Sequence, residues 1–247
     1  MIRRRLLPAL AAAAALPAAA ALPAAAQGLT EAQRAEVLEL LRRALREDPS
    51  LLREGLAALQ AAEEAERAEA QRRAIRDHAA ALFRDPTDPF KGNAAGRIVL
   101  VEFFDARCGF CKAFHPTMEE LLRRRRELRV VLKDLPILGP PSLLAARALL
   151  AAHRQERYLP LYDALMRLRE EVTETTLRRE AERAGIDWAR LRRDMADPAI
   201  ARRIEENLAL ARAIGVQGTP ALVVGEQLLS GAVDLATLER AVAALAG

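Results

Sequence analysis

The 247-residue chain is 51% hydrophobic and 29% charged, which supplies a core and excludes global disorder. Its 38 basic residues, all arginine except Lys91, Lys112 and Lys133, are interspersed with 34 acids and leave a formal charge of +4. No acid-free basic face of the kind that binds nucleic acid follows from that pattern. The two cysteines, Cys108 and Cys111, leave no spare pair for a structural disulfide framework.

At the N-terminus, Arg3, Arg4 and Arg5 precede an apolar stretch over 6–22 broken by Pro8 and Pro17. Ala24, Ala25 and Ala26 are the small residues a signal peptidase reads, so residues 1–26 are expected to be a cleaved secretory signal. The run is Ala-rich and proline-broken, unlike a membrane anchor. Cleavage removes the three arginines and leaves the rest nearly neutral. An exported chain works where disulfides persist, and the periplasm is the expected compartment.

Residues 27–85 form a helical region by composition. Thr30 and Gln33 fit a capping box. Val37, Leu38, Leu41 and Leu45 then recur at helical spacing. Asp48-Pro49 breaks that helix and Ser50 is placed to cap the next, expected over 51–82. Ala61, Ala65, Ala68, Ile75, Ala79 and Leu82 follow a heptad-like spacing in this second helix. A coiled-coil seam and a helix packed on its own chain both fit. Asp85-Pro86-Thr87-Asp88-Pro89 reads as a linker.

After the linker the pattern changes. The near-continuous apolar run 98–104 predicts a strand buried on both faces. A helix from about Cys108 to Arg126 and a strand at 130–133 complete a βαβ unit. Residues 142–214 are helical again, with Ser142, Thr175 and Asp197 as caps and Gly185 and Gly215 as stops. Trp188, Leu191 and Met195 read as core. Residues 221–229 predict a β-hairpin, and Asp234 caps a last helix. The order gives an α/β fold with a helical insertion at about 140–214.

Cys108-Gly109-Phe110-Cys111 falls where a buried strand meets a helix. The unpaired amides and partial positive charge of a helix N-terminus favour a thiolate, which suits Cys108 as the attacking sulfur. Cys111, one turn on, is within reach to close the intramolecular disulfide, and such a dithiol exchanges with a substrate disulfide through a mixed disulfide. A structural bridge this short would stabilise little. The different-class alternative is a copper or zinc site using Cys108, Cys111 and His115 on the same helix, although a metal needs about four ligands. His78, His115 and His153 show no partner cluster. Arg123 to Arg126 read as a solvated helix end.

The stretch Val101-Glu102-Phe103-Phe104-Asp105-Ala106-Arg107-Cys108-Gly109-Phe110-Cys111-Lys112 resembles the active-site segment of thioredoxin-fold proteins. Pro116 matches the proline of their first helix, and Gly218-Thr219-Pro220-Ala221 matches their cis-proline loop. The insertion and Lys133-Asp134-Leu135-Pro136-Ile137-Leu138-Gly139 resemble the DsbA-like branch, over 86–247. The N-terminal helices are similar to those of ScsC-like members. The dipeptide between the cysteines is Gly-Phe, where the best-known strong oxidase has Pro-His.

The resemblance implies a thioredoxin-like fold with an N-terminal helical extension. It also implies thiol:disulfide exchange without an added cofactor, acting on cysteine-containing exported proteins and reset by a membrane redox partner. Glu102 falls where the family keeps a buried carboxylate beneath the second cysteine. Desolvation raises a carboxyl pKa, so such a group can accept that thiol's proton. Lys133 falls where a lysine partners the acid. Pro220 is expected to be cis, presenting the Thr219 backbone edge to substrate peptide. Residues 30–84 are expected to join copies into a homo-oligomer.

Overall fold

The computed structural model describes residues 29–245; the expected signal segment lies outside them. The chain divides into two units between Gln60 and Ala61.

The first unit holds α1 (Glu31–Glu47) and the start of α2 (Ser50–Asp77). The capping box forms: the Gln33 amide donates to Thr30 Oγ1 at 3.3 Å and the Thr30 amide to Gln33 Oε1 at 2.9 Å. At the next start the side chain of Asp48, not of Ser50, does the capping, because the Ser50 amide donates to Asp48 Oδ1 at 3.0 Å. No residue of α1 is buried. Leu38, Leu41, Leu52, Leu56 and Leu59 are each at least half exposed.

The second unit is built on a five-stranded sheet. Its strands are β1 (Phe90–Gly92), β2 (Ile98–Phe104), β3 (Leu128–Asp134), β4 (Ala221–Val224) and β5 (Gln227–Ser230), in the order β1-β3-β2-β4-β5. Only β2 and β3 pair in parallel. The helices are α3 (Ala79–Phe83), α4 (Gly109–Arg124), α5 (Pro140–His153), α6 (Tyr158–Arg167), α7 (Glu174–Arg183), α8 (Trp188–Met195), α9 (Pro198–Ala213) and α10 (Leu235–Ala243).

Side chains alternate across a strand, so β2 feeds two separate cores. Leu100 and Phe104 join Met118 and Leu121 of α4, Leu149 of α5 and Leu238 of α10. Val101 and Phe103 face the other way, onto Ile75, Leu82, Leu210 and Ile214. Both faces of the sheet are therefore covered, as the unbroken apolar run required. Leu191 is buried, and Trp188 and Met195 pack on the same core.

Several expectations change. The expected helix over 51–82 is interrupted at His78, whose φ −99° and ψ 11° separate α2 from α3. The alanine seam does not form one continuous face for a partner. Ile75 and Leu82 are buried in the unit's own core, whereas Ala61, Ala65 and Ala68 are exposed. The segment 85–89 is not a free linker. Arg203 holds Asp85 at 2.6 Å, Lys133 holds Asp88 at 2.5 Å, and the Leu132 amide donates to the Pro89 carbonyl at 2.8 Å. Strand β1, three residues long, escaped the periodicity argument. Thr173, not Thr175, caps α7, and Gly139, not Ser142, precedes α5. Asp197 and Asp234 cap as expected, and Gly185 and Gly215 end their helices at φ +71° and +80°.

Candidate active site

Strand β2 ends at Phe104, and the next three residues turn the chain into α4. Asp105 fixes that turn. Its Oδ1 accepts from the Arg107 amide at 2.8 Å, and its Oδ2 accepts from the Ile137 and Leu138 amides at 3.0 and 3.1 Å. Arg107 Nη1 adds a bond to the Leu138 carbonyl at 2.7 Å. A buried carboxylate thus clamps the loop after β3 onto the start of α4.

Cys108 is the N-cap of α4 and Cys111 lies in its first turn. Both are free thiols and both are buried, Cys111 the more completely. The Thr219–Pro220 peptide bond is cis, and the Cys108 thiol donates to the Thr219 carbonyl at 3.3 Å. Burial, and then the neighbouring Cys108 sulfur, push the Cys111 thiol up, against lowering contacts with the Asp105 backbone and Thr219. Cys111 is therefore protonated near neutrality and must give up its proton before it can attack. Phe110, between the two, is 71% exposed and stands at the mouth of the site.

Glu102 is fully buried on the α4 face of β2, and neither of its oxygens accepts a well-directed hydrogen bond. Tyr162 of α6 is close enough to Glu102 and Cys111 for both to raise its pKa, after burial itself. Lys133 is not the partner of Glu102. In the parallel register Lys133 lies opposite Phe103, and Glu102 lies opposite Leu132. Neighbours on a strand point to opposite faces, so the lysine and the acid are separated by the sheet. Lys133 pairs instead with Asp88, both about 2% exposed.

The cation beside Glu102 is Lys91, on β1. Its Nζ is 3.3 Å from Glu102 Oε2, 3.5 Å from Glu119 Oε1 and 3.3 Å from the Tyr162 hydroxyl. Lys91 pairs with Val130 in register, which puts it on the Glu102 face. No signal in a three-residue edge strand pointed to it.

The histidines also depart from expectation. His115 is buried, with its Nε2 3.5 Å from Asp163 Oδ1. Burial, and then Lys91, lower its pKa. Among the described residues, the three-ligand group that forms is His115, Glu119 and Asp163, and it contains neither cysteine. The arginines at the end of α4 are paired: Arg123 and Arg124 with Glu120, and Arg125 with Glu127.

Residues 99–243 match the DSBA-like thioredoxin domain. Among solved structures, Proteus mirabilis ScsC in a transitional conformation is 30% identical, with a TM-score of 0.64, and the alignment covers 87% of this chain and 98% of that one. The thiol-disulfide exchange protein alpha-DsbA2 of Wolbachia pipientis is 30% identical with a TM-score of 0.68, over 73% of this chain and 98% of that one. A curated relative, the Na(+)/H(+) antiporter NhaA 3 of Salinispora tropica, is 31% identical over 163 residues, 64% of this chain. The chain spans about a quarter of the length of the curated relatives it matches. No helix among the described residues is long and apolar enough to cross a membrane.

Proposed function

Because the chain belongs to the DSBA-like thioredoxin domain family, we propose that it is an exported thiol:disulfide oxidoreductase acting on cysteine-containing proteins through Cys108 and Cys111. The observation that carries the reading is a pair of free thiols at the start of α4, with the outer one against the Thr219 carbonyl. A client peptide added along the Thr219–Pro220 edge would bring its disulfide to Cys108.

In the reducing direction, the Cys108 thiolate attacks a client sulfur. One S–S bond breaks, a mixed disulfide forms, and a client thiolate leaves. Cys111 then loses its proton and attacks Cys108, releasing the second client thiolate and leaving Cys108–Cys111 oxidised by two electrons. The oxidising direction is the reverse, and a membrane redox partner would reset the pair. No added cofactor enters either direction. Insulin reduction followed by turbidity tests the reading. The purified reduced chain should precipitate the insulin B chain in the presence of dithiothreitol, and a rate equal to dithiothreitol alone would refute it.

Glu102 is proposed as the base that takes the Cys111 proton. General-base help is typically worth about a hundredfold or more. Glu102→Gln should slow release of the mixed disulfide by about that factor near neutrality, and the loss should shrink as pH rises and Cys111 ionises unaided. Rapid-quench measurement of the mixed disulfide from about pH 6 to pH 9 checks it. An unchanged profile removes Glu102 from the mechanism.

The first unit is proposed to join copies of the chain. Its leucines are exposed along both helices, and an apolar stripe of that kind is characteristic of an interaction face. Several active sites on one assembly would raise the local thiol concentration at a misfolded client, which suits isomerisation. Light scattering should give the chain lacking residues 1–26 a mass above that of a monomer, and a chain starting at Ala61 a monomer mass. Starting at Ala61 keeps Ile75 and Leu82, which the second unit buries. A monomer in both cases would contradict assembly.

A further inference from the structure

We propose that His115, Glu119 and Asp163 form a binding site for a divalent first-row transition metal, with zinc as the fitting ion. The site is separate from the dithiol and does not depend on its activity. His115 and Glu119 are one turn apart on α4, and Asp163 comes from α6. One ligand atom from each lies within 4.8 Å of the other two.

His115 is the observation that points to a ligand. It is 4% exposed, and neither ring nitrogen has a hydrogen-bond partner. A buried imidazole of that kind normally has both nitrogens engaged. Here Nε2 stops 3.5 Å from Asp163 Oδ1, longer than a hydrogen bond but close to the separation of two ligands on one tetrahedral ion.

The carboxylates leave room for the ion. Arg167 approaches the other oxygen of Asp163, Oδ2, at 3.8 Å and is 69% exposed. Lys91 Nζ is 3.5 Å from Glu119 Oε1, and the Glu119 side chain is 45% exposed. Lys91 is shared between Glu102 and Glu119, whereas Asp163 faces His115 and the exposed Arg167. Arg123, Arg125 and Arg126 line the adjoining cleft of about 530 Å³; Arg123 and Arg125 are taken up by Glu120 and Glu127. Glu119 and Asp163 line that cleft, which gives an ion a path from solvent.

One imidazole and two carboxylates suit zinc better than calcium or magnesium, which prefer all-oxygen sites. Three protein ligands leave a fourth position for water. Because Lys91 contacts both Glu119 and Glu102, occupancy of the site bears on Glu102 as well.

The test uses the full chain without residues 1–26 carrying Cys108→Ser and Cys111→Ser, so that no thiol competes. Calorimetric titration with zinc should give one site per chain, and cobalt should give a visible absorption band of low coordination. Calcium in excess should displace neither. His115→Gln, Glu119→Gln and Asp163→Asn should each weaken zinc by about tenfold or more. Glu119 and Asp163 are partly exposed, so their isosteric amides keep the fold and decide the matter if His115→Gln unfolds. Absence of zinc binding, or binding that Glu119→Gln and Asp163→Asn leave unchanged, would overturn the proposal. Insulin reduction by the chain with both cysteines reports the dithiol separately.

Discussion

Replacing Cys108 by serine is expected to abolish disulfide exchange, while replacing Cys111 by serine should leave the first step intact and accumulate mixed disulfides. The asymmetry comes from position. Cys108 caps α4, touches the Thr219 carbonyl and is the less buried sulfur. Cys111 is 1% exposed, and burial pushes its thiol up. A client disulfide reaches Cys108 first. Cys111 attacks only after losing its proton, and its target is the Cys108 sulfur already bound to the client. Without Cys108 there is no first attack, so activity falls to background. Without Cys111 the client stays attached, and non-reducing electrophoresis shows a ladder that dithiothreitol removes. A ladder from the Cys108→Ser chain of equal intensity would reverse the two roles. Iodoacetamide given in a short pulse near neutrality should likewise modify Cys108 ahead of Cys111.

Lys133→Met should cost about 3–5 kcal/mol of folding stability and leave the exchange rate per folded molecule unchanged. The lysine is buried against Asp88 at 2.5 Å, on the sheet face turned away from Glu102. Removing Lys133 leaves the buried Asp88 with Arg203 alone, at 3.7 Å, as its cation, and breaking a buried pair is strongly destabilising. In a domain of this size the loss corresponds to a fall in Tm on the order of 10 °C. Burial already raises the Asp88 carboxyl, and Lys133 counters it. With the lysine gone, Asp88 should take up a proton on folding, and the deficit should be smaller at low pH, where the unfolded carboxyl is protonated as well. Replacing Asp88 and Lys133 together by apolar residues of similar volume should recover most of the loss. Thermal melts and insulin reduction on the same preparations check both halves. Lost exchange at unaltered stability would return Lys133 to the active site. Lys91→Met is the contrasting variant, because it strands Glu102 and should slow resolution as well as weaken the fold.

The central βαβ unit, the hairpin and the cysteine pair were legible because each carries a local signature. An unbroken apolar run marks β2, two cysteines three apart begin α4, and Gly218-Thr219-Pro220 precedes β4. The partner of Glu102 was not legible in the same way. Strand adjacency suggested Lys133, but the choice depends on register, and a one-residue offset moves a side chain to the other face of the sheet. The actual neighbour, Lys91, sits on an edge strand too short to show alternation. The Ala61–Leu82 seam misled for a related reason. Heptad spacing says which residues share a face, not what covers it, and Ile75 and Leu82 turned out to be covered by their own sheet. His115 was legible only as a possible third ligand beside the two cysteines of its own helix, because its actual neighbour Asp163 is 48 residues away in sequence, on a helix of the insertion.

Equilibration of the reduced chain with glutathione disulfide tests the central claim most directly. After acid quenching, mass spectrometry and peptide mapping should find one intramolecular Cys108–Cys111 disulfide per chain, reached through a minor glutathione adduct that maps to Cys108. An adduct that maps to Cys111, or a chain that takes up glutathione on both cysteines without closing a disulfide, would contradict the account.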